Sequence, residues 1–92
     1  MNEVEYQFCL MNTNGLHVRP ASLFVETAMK FTSEVQVINM DSGCDSDGKS
    51  VIGMLMLSAP KGTNLKVVVR GDDCETAMNA LKELVDRGFD EE

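Results

Sequence analysis

One imidazole and one guanidinium lie close together in the sequence, and together they could perform phosphoryl chemistry. His17 is the only histidine, and Arg19 follows it inside Gly15-Leu16-His17-Val18-Arg19-Pro20. An imidazole with an unperturbed pKa near ~6.5 can act as a nucleophile at neutral pH. A guanidinium can form paired hydrogen bonds to phosphate oxygens. These residue types favour a site that accepts and holds a phosphoryl group, although a lone histidine is more commonly a capping or solvent-exposed residue.

Pro20 indicates where the helix that carries these residues begins. Proline has no amide hydrogen, so it is tolerated only in the first turn of a helix. The apolar spacing predicts an amphipathic helix from about residue 17 or 18 to Phe31, ended by Thr32 and Ser33. The unpaired amides and the dipole of a helix favour an anion at its amino terminus. Such an anion would lie beside His17.

The remaining pattern predicts an α+β domain. Alternation of apolar residues predicts a strand over residues 3–10. Further along the chain we expect a strand over residues 34–40, a short strand within residues 41–48, and a helix over residues 51–57 with Ser50 as its N-cap. A strand around residues 65–69 follows, and then a last helix that is capped by Gly71-Asp72-Asp73 and ended by Gly88. One sheet with every helix on the same side forms an open-faced β-sandwich. We expect a single domain over residues 1–92.

Composition excludes several classes of function. The 92 residues are too few for a large two-lobed enzyme, and 8 Lys and Arg against 15 Asp and Glu give a net charge of −7. That charge disfavours binding to nucleic acid or to an anionic membrane. Cys9, Cys44 and Cys74 lack C-x-x-C spacing, so we expect free thiols in a reducing compartment. The same lack of C-x-x-C spacing predicts no metal site, and we expect no cofactor. With no apolar span and a polar start, we expect a cytoplasmic protein without membrane insertion.

Two segments carry a family resemblance. Gly15-Leu16-His17-Val18-Arg19-Pro20-Ala21 closely resembles the active-site signature of HPr, the histidine-containing phosphocarrier family of the bacterial phosphoenolpyruvate-dependent phosphotransferase system. Lys49-Ser50-Val51-Ile52-Gly53-Met54 is similar to the second signature of that family, around its regulatory serine. Lys61-Gly62, Gly71 and the helix pattern of residues 77–84 also fall in register. The resemblance implies a four-stranded antiparallel sheet covered on one face by three helices.

The resemblance also implies roles for the residues near the first signature. His17 would accept a phosphoryl group from the phosphohistidine of Enzyme I and pass it to a histidine of an Enzyme IIA component. Arg19 would stabilise the phosphoryl oxygens. On this basis the chain is a carrier rather than an enzyme, and we expect a monomer.

Ser50 has two readings. The resemblance implies a regulatory phosphorylation site for an HPr kinase/phosphorylase. From the residues alone, Ser50 serves equally well as a plain N-cap hydroxyl. A phosphate at a helix N-terminus would be tolerated by the helix itself, so its charge would act mainly on partner proteins.

A docking surface is expected beside His17. The helix predicted over residues 51–57 is apolar nearly all round, which is more than one buried face requires. The resemblance implies that Val51 and Ile52 are exposed for partners. Lys49, Ser22 and Leu23 are expected to flank them.

The sequence departs from the family in three places and leaves other functions open. Val18 replaces the usual alanine, and the segment 40–48 is about two residues longer and more acidic. Residues 50–57 and the ending 87–92 resemble the nitrogen-branch paralogue NPr as much as sugar-branch HPr, so a nitrogen-branch regulatory phosphocarrier is an alternative. A non-phosphorylated ferredoxin-like binding module, such as a metal chaperone, would need clustered ligands that the sequence lacks. A small hydrolase would need a positioned base near His17.

Overall fold

A computed structural model of the protein describes residues 2–90, which form four strands and three α-helices. The elements are β1 (Glu3–Cys9), α1 (Val18–Ala28), β2 (Glu34–Asn39), β3 (Asp45–Asp47), α2 (Val51–Leu55), β4 (Asn64–Arg70), α3 (Cys74–Asp86) and a final 3₁₀ turn (Gly88–Asp90). The predicted order of elements is confirmed, including the short strand between β2 and α2.

The four strands form one antiparallel sheet in the order β1-β4-β2-β3. One row of residues shows the register across the whole sheet, because Tyr6 pairs with Val67, Val67 with Val37, and Val37 with Ser46. The helices cover one face of this sheet and leave the other open. The predicted open-faced sandwich is therefore confirmed.

The core lies between the helices and the covered face of the sheet. Val67 and Val37 are 1% exposed, and Phe24 of α1 and Leu81 of α3 pack in the same apolar cluster. Burying one side chain of this size stabilises a fold by roughly 1.5–3 kcal/mol. The apolar residues of β1, by contrast, are only half-buried, which is consistent with its position at the edge of the sheet.

Two helices end earlier than their apolar periodicity predicts. Helix α1 ends at Ala28 rather than Phe31, and α2 ends at Leu55 rather than Leu57. In both cases the chain continues as a tighter turn, with amides donating to carbonyls three residues back, as from Phe31 to Ala28 (3.2 Å) and from Leu57 to Met54 (3.2 Å). Side chains in such a turn still reach the core, so the apolar pattern outlasts the α-helix.

The sequence predicts that Asp73 caps α3, but its carboxylate binds the turn after α1 instead. It occupies the N-cap position without a side-chain capping bond. Its oxygens instead accept the amides of Thr32 (2.9 Å) and Ser33 (3.0 Å), together with the Ser33 hydroxyl. These hydrogen bonds, that of the Ser33 hydroxyl foremost, lower the pKa of Asp73 from 3.8 to about 2. The carboxylate thus joins the turn after α1 to the start of α3.

This carboxylate predicts a specific loss of stability in acid. Because the folded pKa of Asp73 is about 2 and its ordinary value is 3.8, its stabilisation is complete above the ordinary value and disappears as the pH falls through the folded value. Asp73→Asn should therefore unfold at a lower urea concentration than wild type at neutral pH. The difference in the midpoint urea concentration should shrink as the pH falls from 3.8 to about 2.

The matched control is Asp72→Asn, which removes a neighbouring exposed carboxylate. It should follow the wild-type curve throughout. A wild-type advantage over Asp73→Asn that stays constant between neutral pH and the folded pKa would contradict the assigned role.

Candidate functional site

His17 lies at the N-cap of α1, as the proline position predicted. Its backbone is extended, with φ −97° and ψ −168°, and its carbonyl accepts the amide of Ala21 at 3.0 Å. The side chain is half-buried, and the ring atom Nε2 is buried. In this conformation an incoming group cannot reach Nε2.

Two backbone amides beside His17 have no acceptor in the described part of the chain. They belong to Val18 and Arg19, the first two residues of α1. The third residue, Pro20, has no amide hydrogen, and the first turn contains no acidic side chain. The helix therefore presents two donors and its partial positive charge next to the imidazole. This arrangement favours an anionic group bound at His17.

Arg19 supplies a full positive charge at the same end of the helix. Its side chain is exposed and makes no ion pair with any group of residues 2–90. A guanidinium without an internal carboxylate partner can turn toward a phosphoryl group without first breaking a salt bridge.

Gly15 allows the loop before His17 to approach a second loop closely. It has φ +66°, and a Cβ atom there would lie 2.4 Å from the Ala59 carbonyl oxygen. The next amide, that of Leu16, donates to the same oxygen at 2.8 Å, and the Leu16 side chain is buried. No local pattern in the sequence indicates Ala59, because its contact joins two loops that are distant in the chain.

Ser50 is the N-cap of α2, as predicted from the residues alone. Its hydroxyl accepts the amide of Gly53 at 3.0 Å. The preceding Lys49 extends away to the end of the α1 turn, where its ammonium donates to the Phe31 carbonyl at 2.8 Å. Lys49 therefore fastens α2 to α1, while Ser50 starts the helix.

The expected docking residues differ widely in exposure. Ile52 is 74% exposed, whereas Val51 is half-buried against the core, so the expectation of an exposed Val51–Ile52 pair is right only for Ile52. Ser22, Leu23 and Lys49 are also half-buried. Met56 (75%) and Val18 (60%) also expose apolar side chains, and neither is among the expected docking residues. The all-round apolar character of residues 51–57 was the signal that could have identified Met56.

The structure also bears on membrane and metal binding. Over residues 2–90, no helix has the length and apolar character needed to cross a bilayer. Within the same residues, no three His, Cys, Asp or Glu side chains cluster as a metal ion would require.

Comparisons with known proteins point to one family. The model of the PTS HPr component phosphorylation site matches residues 4–87. The phosphocarrier protein HPr of Pseudomonas aeruginosa is 40% identical over 85 residues, covering 92% of this chain and 93% of that protein. The multiphosphoryl transfer protein of Salmonella typhimurium is 34% identical over 86 residues, which are 92% of this chain but 23% of that longer protein. The crystal structure of HPr-C-His from Thermoanaerobacter tengcongensis aligns with a TM-score of 0.89 at 38% identity, covering 97% and 98% of the two chains.

The loop before His17 yields a stability prediction. Gly15→Ala should cost more free energy of unfolding than Gly62→Ala, although both glycines have positive φ. The left-handed backbone costs about 1–2 kcal/mol in either variant. Only at Gly15 does the new methyl group collide with another backbone, because nothing lies within 4 Å of a Cβ at Gly62.

Urea unfolding of the two variants measures this difference directly. Equal losses of stability would show that the loop carrying His17 does not depend on its close approach to Ala59.

Proposed function

The chain belongs to the PTS HPr family, and from this membership and the geometry around His17 we propose that it carries a phosphoryl group on that residue. The phosphoryl group arrives from the phosphohistidine of Enzyme I and leaves to a histidine of an Enzyme IIA component. The observation that carries the proposal is the pair of uncommitted amides that α1 places beside the imidazole. The chain is a carrier in a transfer sequence and not itself an enzyme.

The burial of one ring nitrogen supports the other as the atom that accepts the phosphoryl group. Because Nε2 is buried, we assign the attack on phosphorus to Nδ1. The N–P bond of the donor histidine breaks as the new N–P bond at His17 forms, and the donor imidazole departs as the leaving group. Nδ1 must be unprotonated at that moment, as it is in one tautomer of neutral imidazole.

The positive end of α1 stabilises the product to a limited degree. The amides of Val18 and Arg19 donate to phosphoryl oxygens, and the Arg19 guanidinium adds charge-assisted hydrogen bonds. A helix terminus stabilises an anion by roughly 0.3–1 kcal/mol at an exposed site and by up to about 2 kcal/mol where the site is partly buried. A half-buried site with modest stabilisation suits a group that must be released again, because stronger binding of the phosphorylated state would slow the next transfer.

Partner proteins dock beside this site on the surface formed by α1 and α2. The two helices contact each other, and Ile52 and Met56 expose apolar side chains there. Val18 adds exposed apolar area directly beside His17. Ser22, Leu23, Lys49 and Val51 frame the surface as half-buried residues.

Ser50 is the regulatory residue in this proposal, modified by an HPr kinase/phosphorylase. A phosphate at Ser50 would retain oxygen acceptors for the amide of Gly53, so α2 keeps its cap. The new charge, about −1.5 to −2, lies at the start of the helix that exposes Ile52. Its effect therefore falls on docking rather than on folding.

A nitrogen-branch phosphocarrier of the NPr type is the second candidate. It is favoured by residues 50–57 and by the ending 87–92, of which Glu91 and Glu92 lie outside the described residues. Both branches use the same acceptor chemistry, and what distinguishes them is the Enzyme I that donates the phosphoryl group. The branch is identified by the Enzyme I, sugar-branch or nitrogen-branch, that phosphorylates the protein faster. In either branch we place the protein in the cytoplasm.

His17→Ala tests the proposed function. Wild-type protein incubated with Enzyme I and phosphoenolpyruvate should gain one phosphoryl group by intact mass and lose it in mild acid. His17→Ala should gain none while unfolding at nearly the same temperature. Arg19→Ala keeps the acceptor but lacks one charged donor, so its rate of phosphorylation should be lower than that of wild type by about tenfold or more.

The control is a known HPr treated with the same Enzyme I. An acid-labile phosphoryl group on His17→Ala would contradict the assignment. So would its absence from wild type with Enzyme I of both branches, each shown active on its own carrier.

Substitutions at Ser50 separate its two roles. Ser50→Ala removes the cap to Gly53 and should lower the free energy of unfolding by about 1 kcal/mol. Ser50→Asp keeps an acceptor and should be close to wild type in stability. Only Ser50→Asp should slow phosphoryl acceptance from Enzyme I, because only it adds charge at the docking surface. Equal slowing in both variants would assign the effect to the cap.

A further inference from the structure

The final turn of the chain packs against the helix that begins at His17. Gly88 and Phe89 both adopt left-handed backbone conformations, with φ of 63° and 58°. This geometry folds Phe89 back into the core, where the residue is 2% exposed and its ring centroid lies 6.5 Å from that of Phe8. The turn contacts both α3 and α1. The end of the described chain is thus a packed element.

Asn12 connects this final turn to the loop that carries His17. It is 7% exposed although its side chain is polar, and its Nδ2 donates to the Gly88 carbonyl at 3.0 Å. The hydrogen bond is partly buried, so removing the Asn12 amide would leave the Gly88 carbonyl with a desolvation penalty. The contact joins residues at opposite ends of the sequence.

A series of hydrogen bonds continues from Asn12 to His17. The Asn12 carbonyl accepts the amide of Gly15 at 2.9 Å, and the Gly15 carbonyl accepts the amide of His17 at 3.1 Å. Three hydrogen bonds in succession therefore lead from the Gly88 carbonyl to the backbone of the phosphoryl acceptor. The opposite side of the loop is held through Leu16 and Ala59. A substitution of Asn12 removes the contact with Gly88 and leaves the contact between Leu16 and Ala59 in place.

We propose that Asn12 is a positioning residue for phosphoryl transfer, which holds the backbone and ring of His17 in the reactive orientation by fastening the loop to the final turn. Asn12 does not touch the phosphoryl group, and it lies in the loop before α1 rather than in α1 or α2, where partners dock. Its loss should therefore slow the transfer step and leave the affinity for Enzyme I unchanged. The proposal rests on His17 being the acceptor.

The test compares Asn12→Ala with Asn79→Ala, the same change at an exposed position on α3. Steady-state transfer from phospho-Enzyme I should show kcat lowered about tenfold in Asn12→Ala with KM within twofold of wild type, since misplacement by about 1 Å can cost up to ~100-fold. Asn79→Ala should match wild type in both constants. In the unphosphorylated protein, the imidazole ¹⁵N signals of His17 should shift in Asn12→Ala alone.

A second variant covers the case in which Asn12→Ala does not fold. Phe89→Leu keeps the Asn12 amide but loosens the turn that it binds, so it should lower kcat in the same way at temperatures where it remains folded. If both variants fold, the double variant should be no slower than the slower single one, because both changes break the same connection.

The outcomes separate this proposal from the function on which it rests. A wild-type protein that accepts no phosphoryl group contradicts the proposed function, and the His17 ¹⁵N signals then decide the positioning role by themselves. With wild type active, an unchanged kcat together with unchanged ¹⁵N signals overturns the role of Asn12. A raised KM with unchanged kcat also overturns it, because it would make Asn12 part of the docking surface.

Discussion

The amino terminus of α1 has backbone amides that the helix itself cannot satisfy, and the proposed chemistry depends on them. Pro20 removes one donor, the Ala21 amide binds the His17 carbonyl, and the amides of Val18 and Arg19 have no acceptor within residues 2–90. In most helices a side chain at the N-cap accepts such amides. Here the N-cap residue is the histidine itself. A phosphoryl group on its ring would supply the acceptor that the helix lacks.

The amides at this helix terminus can bind a phosphoryl group on His17 only if the loop before α1 holds His17 in place. The fold provides contacts on two sides of that loop. On one side, Gly15 and Leu16 approach Ala59, at the end of the segment that follows α2. On the other, Asn12 binds Gly88 beyond α3. At the far end of α1, the Asp73 carboxylate fixes the turn at Thr32 and Ser33. The fold brings these distant segments together, while the proposed chemistry uses only the end of the loop at His17 and the first turn of α1.

Local patterns predicted the elements, and long-range contacts account for what they could not predict. Pro20 located the start of α1, and the alternation in residues 3–10 located β1. Periodicity placed the end of α1 at Phe31, because a side chain in the tight turn after Ala28 still reaches the core. Asp73 has the sequence of a cap, yet its carboxylate binds amides some forty residues away in the chain. Phe89 enters the core through a left-handed backbone that no apolar period indicates.

In the candidate site, too, some features could be predicted from the sequence and others depend on long-range contacts. The position of His17 at a helix start followed from one proline, whereas the burial of Nε2 and the link from Asn12 to Gly88 depend on tertiary packing.

The most direct test of the account is the ¹⁵N NMR spectrum of the His17 imidazole after phosphorylation by Enzyme I. The structure predicts phosphorylation at Nδ1, with changed amide signals for Val18 and Arg19. Phosphorylation at Nε2, or a phosphohistidine that leaves both amides unchanged, would contradict it.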